Sequence, residues 1–267
     1  MNARRLALIV LGAIPGLLVL LFLVAPVLAV IPMSFNAAPV LELIPSKPSL
    51  AQYSRFFDSP DWMHALWISV QVAVGTMLLA TLVGLLAALG LARIPVRARA
   101  ALEALLILPR IVPTIVFAVA AYSIYLKLGL VGSVVGLVLA HSVLATPFVV
   151  IFVGSALRGV DGALAEASRS LGAGAFVTFV RVVFPQIRLA VAGSALFAFN
   201  LSFDEVVVTL FISGIGTKTL PVKVWDAIQY EITPILPAIS TLVVLATLLL
   251  LVPIFIATSQ RANPSLS

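Results

Sequence analysis

Apolar residues fill long stretches of this chain, and most polar residues lie in the segments between them. A helix needs about 20 mostly apolar residues to cross the hydrocarbon core of a bilayer. Four stretches without Asp, Glu, Lys or Arg are long enough, at 6–41, 62–92, 128–157 and 232–260, and two more, at 100–126 and 186–213, carry a few charges. The pattern predicts an all-α integral membrane protein with six transmembrane helices, at 6–35, 63–92, 100–126, 128–157, 186–213 and 233–258.

Composition supports this interpretation. Hydrophobic residues make up 62% of the 267 positions and charged residues 10%. A typical soluble domain has roughly 45–50% apolar residues and about 25% charged residues. So few charges exclude a soluble globular enzyme. The net charge of +6 is scattered along the chain rather than clustered, so it predicts no nucleic-acid partner. The chain contains no cysteine, which excludes disulfides and thiol chemistry.

The basic residues predict the orientation of the helices. With the first residue inside, ten Lys and Arg side chains lie in inner segments and five in outer ones. Basic residues favour cytoplasmic loops, so we expect both termini in the cytoplasm. Arg4 and Arg5 precede an apolar run that is too long for a signal peptide, and we expect an uncleaved first helix.

The long inner segment 158–185 has the pattern of a helix followed by a turn. Asp161 can cap a first turn, and Leu164, Ala167 and Leu171 then form an apolar stripe. Glu166 and Arg169 lie three residues apart on the polar side and can pair. Gly172 and Gly174 allow a turn, and a second segment, 176–184, leads to Pro185. Such a helix either rests on lipid or inserts into the groove of a partner protein.

This segment resembles the EAA loop of ABC importer permeases, whose pattern is EAA, three residues, Gly, nine residues, Ile, one residue, Leu and Pro. The matching positions have the same spacing, with Ser, Val and Phe as conservative replacements: Glu166, Ala167, Ser168, Gly172, Val182, Phe184 and Pro185. The segments 201–208 and 220–225 resemble the membrane subunits of spermidine/putrescine importers. The resemblance therefore identifies the whole chain, 1–267, as one permease domain with the type I ABC importer fold.

The resemblance also implies partners and roles. Residues that couple to a cytoplasmic ATPase would be Glu166, Ala167, Ser168, Arg169, Leu171, Gly172 and Pro185. The importer would contain two ATPase subunits, a second permease that is a different chain, and a periplasmic binding protein, in a bacterial inner membrane. ATP and magnesium would bind to the ATPase subunits, so this chain would hold no cofactor and catalyse no reaction.

Asp204 and Glu205 are the most informative charges within a predicted span, because a charge in the membrane is costly and needs a reason. They are adjacent, so on a helix they point about 100° apart. They either mark a helix end or line the pathway of a cation, and the apolar run 206–212 favours the pathway. Carboxylates suit a protonated polyamine, and Phe203 beside them could add a cation–π contact. An acidic pair could equally hold an internal arginine.

Other conspicuous residues have structural interpretations. We expect Arg110, bracketed by Pro109 and Pro113, to bond freed carbonyls or a neighbouring helix. His141 and His64 are expected to be packing residues. The segment 214–219 is not a phosphate loop because Thr217 replaces the required glycine before the lysine. Gly132 and Gly136 suggest close helix packing, and the segment after Pro221 suggests a short amphipathic helix with Leu220, Val224 and Ile228 on one side.

Two alternatives to a polyamine importer remain at the level of sequence. The same importer class carries other small organic solutes, such as amino-acid derivatives or phosphonates. An ion-coupled secondary transporter would explain the intramembrane acids, although it predicts inverted repeats and none is convincing here. No cluster of residues suggests a metal site or a catalytic site.

Overall fold

The computed structural model describes residues 3–37, 41–230 and 233–262. Within these ranges the regular structure is helical, apart from one isolated antiparallel bridge between Asn36 and Pro48. The helices are α1 Ala3–Met33, α2 Ala51–Asp58, α3 Pro60–Leu91, α4 Val96–Ile111, α5 Thr114–Leu128, α6 Val134–Arg158, α7 Gly162–Ser170, α8 Ala175–Thr178, α9 Phe184–Phe203, α10 Val207–Ile212, α11 Leu220–Tyr230 and α12 Ile235–Ala262.

Four helices among the described residues are long and apolar enough to cross a membrane, at Ala13–Met33, Pro60–Leu91, Val134–Arg158 and Ala175–Phe203. A fifth span is formed if α4 and α5 count as one broken helix. The sixth predicted span corresponds to α12, whose described apolar part, Ile235–Leu250, is shorter than a full crossing. The all-α membrane class is confirmed, whereas the count of six stays a prediction.

Three predicted spans have different bounds in the structure. The span 100–126 is two helices joined at a 93° bend, because Pro113 follows Val112 and cannot continue the hydrogen bonding of α4. The span 128–157 begins later, at Val134, after a turn with Gly129 and Gly132 at positive φ. The span 186–213 begins earlier, at Ala175, and is interrupted after Phe203.

The chain divides into two compact units, and the first comprises Met1–Met63 with Asp226–Leu248. Here the segment after α1 is tied to α2, because Ser34 Oγ lies 2.6 Å from the Tyr53 hydroxyl. The buried Gln52 side chain also donates to the Asn36 carbonyl at 3.1 Å. These bonds help to satisfy buried polar groups in this part of the chain.

The second unit comprises His64–Trp225 with Leu249–Ser267, and it contains every predicted site residue. Its core lies where small residues of α3 allow α6 to approach closely. A Cβ on Gly84 would stand 2.6 Å from the Val149 Cβ, so these two helices are in direct contact. Ala80, Ala88 and Ala198 are buried in the same cluster. Small residues at helix interfaces are the usual means of close packing in membranes.

Large apolar side chains cover the outside of the second unit, as expected for a protein surrounded by lipid. Leu78, Leu82 and Leu86 of α3 each expose more than half of their surface. In water such a surface would favour association, whereas in a bilayer it contacts acyl chains at no cost.

Candidate functional site

Helix α7 begins and ends as the sequence predicts. The Asp161 Oδ1 atom accepts a hydrogen bond from the Ala163 N–H at 2.9 Å, which satisfies a donor of the first turn. At the other end, Gly172 has φ +84°, a conformation that favours glycine. The Gly172 N–H donates to the Arg169 carbonyl at 2.9 Å and the Ala173 N–H to the Ser168 carbonyl at 3.1 Å. These two bonds form a Schellman motif, which stops the helix and reverses the chain.

Helix α7 contains no buried residue. In its apolar stripe Leu164 is exposed, and Leu171, which directly follows the helix, is 88% exposed. No other described residue covers this apolar stripe, and a stripe of this kind normally contacts another surface. Glu166 is exposed too.

The expected ion pair between Glu166 and Arg169 is absent from the described residues. The Arg169 Nε instead donates to the Ala165 carbonyl at 3.3 Å, so the guanidinium turns back along its own helix. The Glu166 carboxylate therefore stays open to a partner.

The second half of the predicted loop is part of a long helix. Residues Ala175–Phe203 run without a break, through a π-helical turn at Phe179–Val183. Regular α-helical bonding resumes at Phe184, the first residue of α9, and Pro185 follows it. Proline is tolerated there because it lies in the first turn of this α-helical part. The prediction of a separate segment ending before Pro185 is therefore wrong. Ser168 and Thr178, whose side-chain oxygens are 3.1 Å apart, join α7 to this helix.

Asp204 and Glu205 lie in a break between two helices. Asp204 is the residue that ends α9, and α10 begins at Val207. The Glu205 Oε1 atom accepts a hydrogen bond from the Val208 N–H at 3.0 Å, so this carboxylate caps α10. Asp204 is exposed, and its carboxylate has no partner in the described part of the chain. The two acids therefore have different surroundings, and only Asp204 presents an open carboxylate.

A buried polar network, which the sequence did not predict, holds the two sides of this break together. His141 of α6 is fully buried, with Nδ1 2.8 Å from Ser202 Oγ before the break and Nε2 3.1 Å from Thr209 Oγ1 after it. The Ser202 hydroxyl also donates to Thr76 Oγ1 of α3 at 3.2 Å. The expectation that His141 packs with satisfied nitrogens is confirmed. The signal available in the sequence was a lone histidine in an apolar span.

Phe203 and Arg110 make aromatic contacts. Phe203 stacks on Phe199, with ring centroids 5.9 Å apart and planes inclined by 19°. The Arg110 guanidinium lies over the Phe148 ring of α6, 4.8 Å from its centroid. We expected Arg110 to bond either freed carbonyls or a neighbouring helix. It contacts the neighbouring helix α6, through a cation–π contact rather than a hydrogen bond.

The segment after α10 is anchored at both ends. The Gly132 N–H donates to the Ile212 carbonyl at 2.7 Å, and a Cβ on Gly214 would stand 3.1 Å from the Gly132 Cα. Gly132 lies outside α6, so the expected helix packing through Gly132 and Gly136 is wrong, and the close contact joins two loops. The Leu220 N–H donates to Ser69 Oγ of α3 at 2.7 Å, which fixes the start of α11.

Helix α11 confirms the predicted short helix after the loop. Leu220 and Val222 are buried, whereas Ile228 is exposed. His64, which is exposed, lies with Nε2 3.0 Å from the Gly216 carbonyl. Within the described residues, no group of three or more His, Cys, Asp or Glu could hold a metal ion.

Comparison with known proteins matches this chain to transport proteins. The family model described as binding-protein-dependent transport system inner membrane component matches residues 80–261. The spermidine/putrescine transport system permease protein PotC of Haemophilus influenzae is 31% identical over 200 residues, 75% of this chain and 78% of that protein. PotC of Escherichia coli K12 is 30% identical over 200 residues, 75% of this chain and 76% of that protein.

Solved transporters have the same fold. A bacterial alginate ABC transporter in complex with an alginate pentasaccharide-bound periplasmic protein matches with a TM-score of 0.71 and 14% identity, over 98% of this chain and 96% of that one. An amino acid ABC transporter with histidines matches with a TM-score of 0.55 and 17% identity, over 79% of this chain and 96% of that one. The predicted importer fold is thereby confirmed.

Proposed function

The chain belongs to the family of binding-protein-dependent transport system inner membrane components, and on that premise we propose that it is the membrane subunit of an ATP-driven importer for polyamines such as spermidine and putrescine. Membership of this family argues against the alternative of an ion-coupled secondary transporter. The chain is a transport subunit that forms half of a pathway, and the energy for transport would come from ATP hydrolysis on separate subunits.

The observation that carries the coupling role is the exposed, rigidly held helix α7. Its N-cap at Asp161 and its Schellman turn at Gly172 fix its length and direction, while Leu164 and Leu171 have no cover in the described residues. A short amphipathic helix with fixed ends suits insertion into a groove on a partner. That partner is the ATPase subunit, and the open carboxylate of Glu166 would meet a donor there.

The substrate class rests on Asp204 together with the names of the relatives. Because the Glu205 carboxylate is engaged by the Val208 N–H, Asp204 is the acid available to a cation. Each protonated amine of a polyamine is strongly hydrated, and a carboxylate can replace part of that hydration. The stacked Phe199 and Phe203 rings precede Asp204 and would offer aromatic faces to the methylene segments or the ammonium groups.

The assembly would follow from this role. A second, different permease would complete the pathway, a periplasmic binding protein would deliver the polyamine, and two ATPase subunits would hold ATP and magnesium. The family description places the chain in the inner membrane. The α7 side would face the cytoplasm together with both termini. The side chains of Arg4, Arg5 and Arg261, on which the orientation partly depends, lie outside the described residues.

Reconstitution of the whole importer in proteoliposomes tests this function. With ATP and the binding protein on opposite sides of the bilayer, we expect accumulation of labelled spermidine and stimulation of ATP hydrolysis. The binding protein should prefer polyamines in a panel that also contains amino acids and phosphonates. A matched preparation without ATP, but with proton or sodium gradients, should accumulate nothing. Uptake driven by a gradient alone would refute the ATP-driven mechanism, and preference for an anion would refute the substrate class.

A further inference from the structure

A cavity of about 170 Å³ lies between α4 and α6, away from the break at Asp204. Its lining residues are Glu103, Leu106, Ile107, Pro147, Val150, Ile151 and Arg158. Five of the seven are apolar, and the two charged ones are Glu103 and Arg158. An apolar cavity of about 150 Å³ holds a molecule of the size of benzene, so this one can hold several methylene groups of a hydrocarbon chain.

Two arginines converge beside this cavity. The Arg158 Nη1 and Arg99 Nη2 atoms lie 3.9 and 4.0 Å from the point where a Cβ would stand on Gly154. Both guanidinium groups therefore lie beside the buried Gly154. Glu103 neutralises one of them, since its Oε1 accepts from Arg99 Nε at 2.8 Å. One positive charge remains in excess, and planar guanidinium groups bind phosphate oxygens through paired hydrogen bonds.

The charges and the apolar walls are arranged in sequence along both helices. From Arg99, α4 runs eight residues to Ile107, which is about 12 Å along the axis. Helix α6 runs in the opposite sense, from Pro147 and Val150 to Arg158. The cationic groups therefore lie at one end of the cavity and the hydrocarbon-lined part extends away from them. A phospholipid has the same order of an anionic headgroup followed by an apolar chain.

We infer that this cavity binds an anionic phospholipid, with the headgroup phosphate on Arg158 and Arg99 and part of one acyl chain between Ile107 and Val150. The inference rests on the proposed function for the orientation, which puts these arginines at the cytoplasmic leaflet. That leaflet carries the anionic lipids that basic pockets between membrane helices recognise. The exposed Arg93 and Arg97 nearby would attract such lipids without entering the cavity.

The position of the cavity gives the lipid a role in coupling. Arg158 is the last residue of α6, and only Gly159, Val160 and Asp161 separate it from α7. A lipid phosphate bound to Arg158 would hold the end of α6 against α4 and so fix the point from which α7 projects.

The test uses the whole importer, purified and placed in phosphatidylcholine nanodiscs with increasing phosphatidylglycerol, and native mass spectrometry counts the phosphatidylglycerol retained. We expect Arg158→Gln to weaken retention about tenfold, the loss expected for a charge-assisted hydrogen-bonded contact. Arg97→Gln, which removes the same charge from the same membrane level outside the cavity, should change retention by about twofold at most. Ile107→Trp, which fills the apolar part and keeps the charges, should weaken retention as Arg158→Gln does.

Three results would contradict the inference. Equal retention in the Arg158→Gln and Arg97→Gln variants would show only a general attraction of basic residues for anionic lipid. Displacement of the lipid by inorganic phosphate at matched concentration would assign the site to a free anion. Failure of the whole importer to retain phosphatidylglycerol would show that the cavity binds no anionic phospholipid. Because lipid retention is measured without uptake, these results are independent of the transported substrate.

Discussion

The Glu205 carboxylate accepts a hydrogen bond from the Val208 N–H at 3.0 Å, and this contact distinguishes two acids that are adjacent in the sequence. Glu205 caps α10, whereas Asp204 remains exposed at the end of α9. The difference predicts that one acid serves transport and the other serves the structure of the break.

Asp204→Asn should lower spermidine transport without unfolding the protein. Loss of the open carboxylate removes a charge-assisted contact to the ammonium group, and we expect kcat/KM for uptake to fall about tenfold. Glu205→Gln keeps an oxygen that can accept from Val208, so its uptake should remain near the wild-type rate. Glu205→Ala loses the cap and should cost about 1 kcal/mol of stability. Equal effects of Asp204→Asn and Glu205→Gln on uptake would contradict this division.

His141→Leu should destabilise the protein strongly. It would remove the two hydrogen bonds that join the histidine to the buried Ser202 and Thr209 hydroxyls, and each lost hydrogen bond costs about 0.5–1.5 kcal/mol. We expect a lower midpoint of thermal unfolding in detergent, measured by intrinsic fluorescence. The exposed His64, which makes one contact with the Gly216 carbonyl, provides the matched control. His64→Ala should shift the midpoint far less, and comparable shifts would argue against the network.

Gly172→Ala should weaken binding of the ATPase. A side chain at φ +84° forces strain of about 1–2 kcal/mol onto the Schellman turn. At Gly162, the first residue of α7, an added methyl group would meet no atom within 4 Å and φ is not positive, so Gly162→Ala is a suitable control. Co-purification of the ATPase should decrease for Gly172→Ala and not for Gly162→Ala. Normal ATPase recovery with Gly172→Ala would show that the direction of the chain after α7 does not matter for docking.

Single cysteines should report the orientation directly, because the chain has none of its own. Leu171→Cys is placed at a position that is 88% exposed, and Ile215→Cys at one that is 100% exposed. A membrane-impermeant maleimide should label Ile215→Cys in intact spheroplasts and Leu171→Cys only after permeabilisation. Addition of the ATPase should then protect Leu171→Cys. The reverse labelling pattern would invert the proposed topology.

Gly84→Ala should loosen or displace the contact between α3 and α6, since the added methyl would stand 2.6 Å from the Val149 Cβ. Overpacking of this kind typically costs about 1–3 kcal/mol. Gly90→Ala in the same helix meets no atom within 4 Å and should be neutral or slightly stabilising. The midpoints of thermal unfolding of the two variants make the comparison. Equal midpoints would contradict a close contact between α3 and α6 at Gly84.

The sequence predicted those features that local patterns determine. Hydrophobic runs indicated the spans, and capping chemistry indicated α7, since both Asp161 and Gly172 act through their immediate neighbours. The prediction failed where long-range contacts decide. The two sides of the break at Asp204 are joined by His141, which is more than 60 residues away in the chain. The cavity at Arg158 likewise depends on the approach of α4 to α6, and a local sequence pattern does not predict which helices pack together.

The unbroken helix Ala175–Phe203 can transmit a rotation at one of its ends to the other end. Its 29 residues span about 43 Å, from the turn beside α7 to the residue before Asp204. Tilting a rod of this length by about 10° moves its far end by about 7 Å. A small rotation imposed where the ATPase contacts α7 would thus displace the Asp204 end of this helix by a distance comparable to the width of a polyamine chain. The hydrogen bonds within the helix would stay intact.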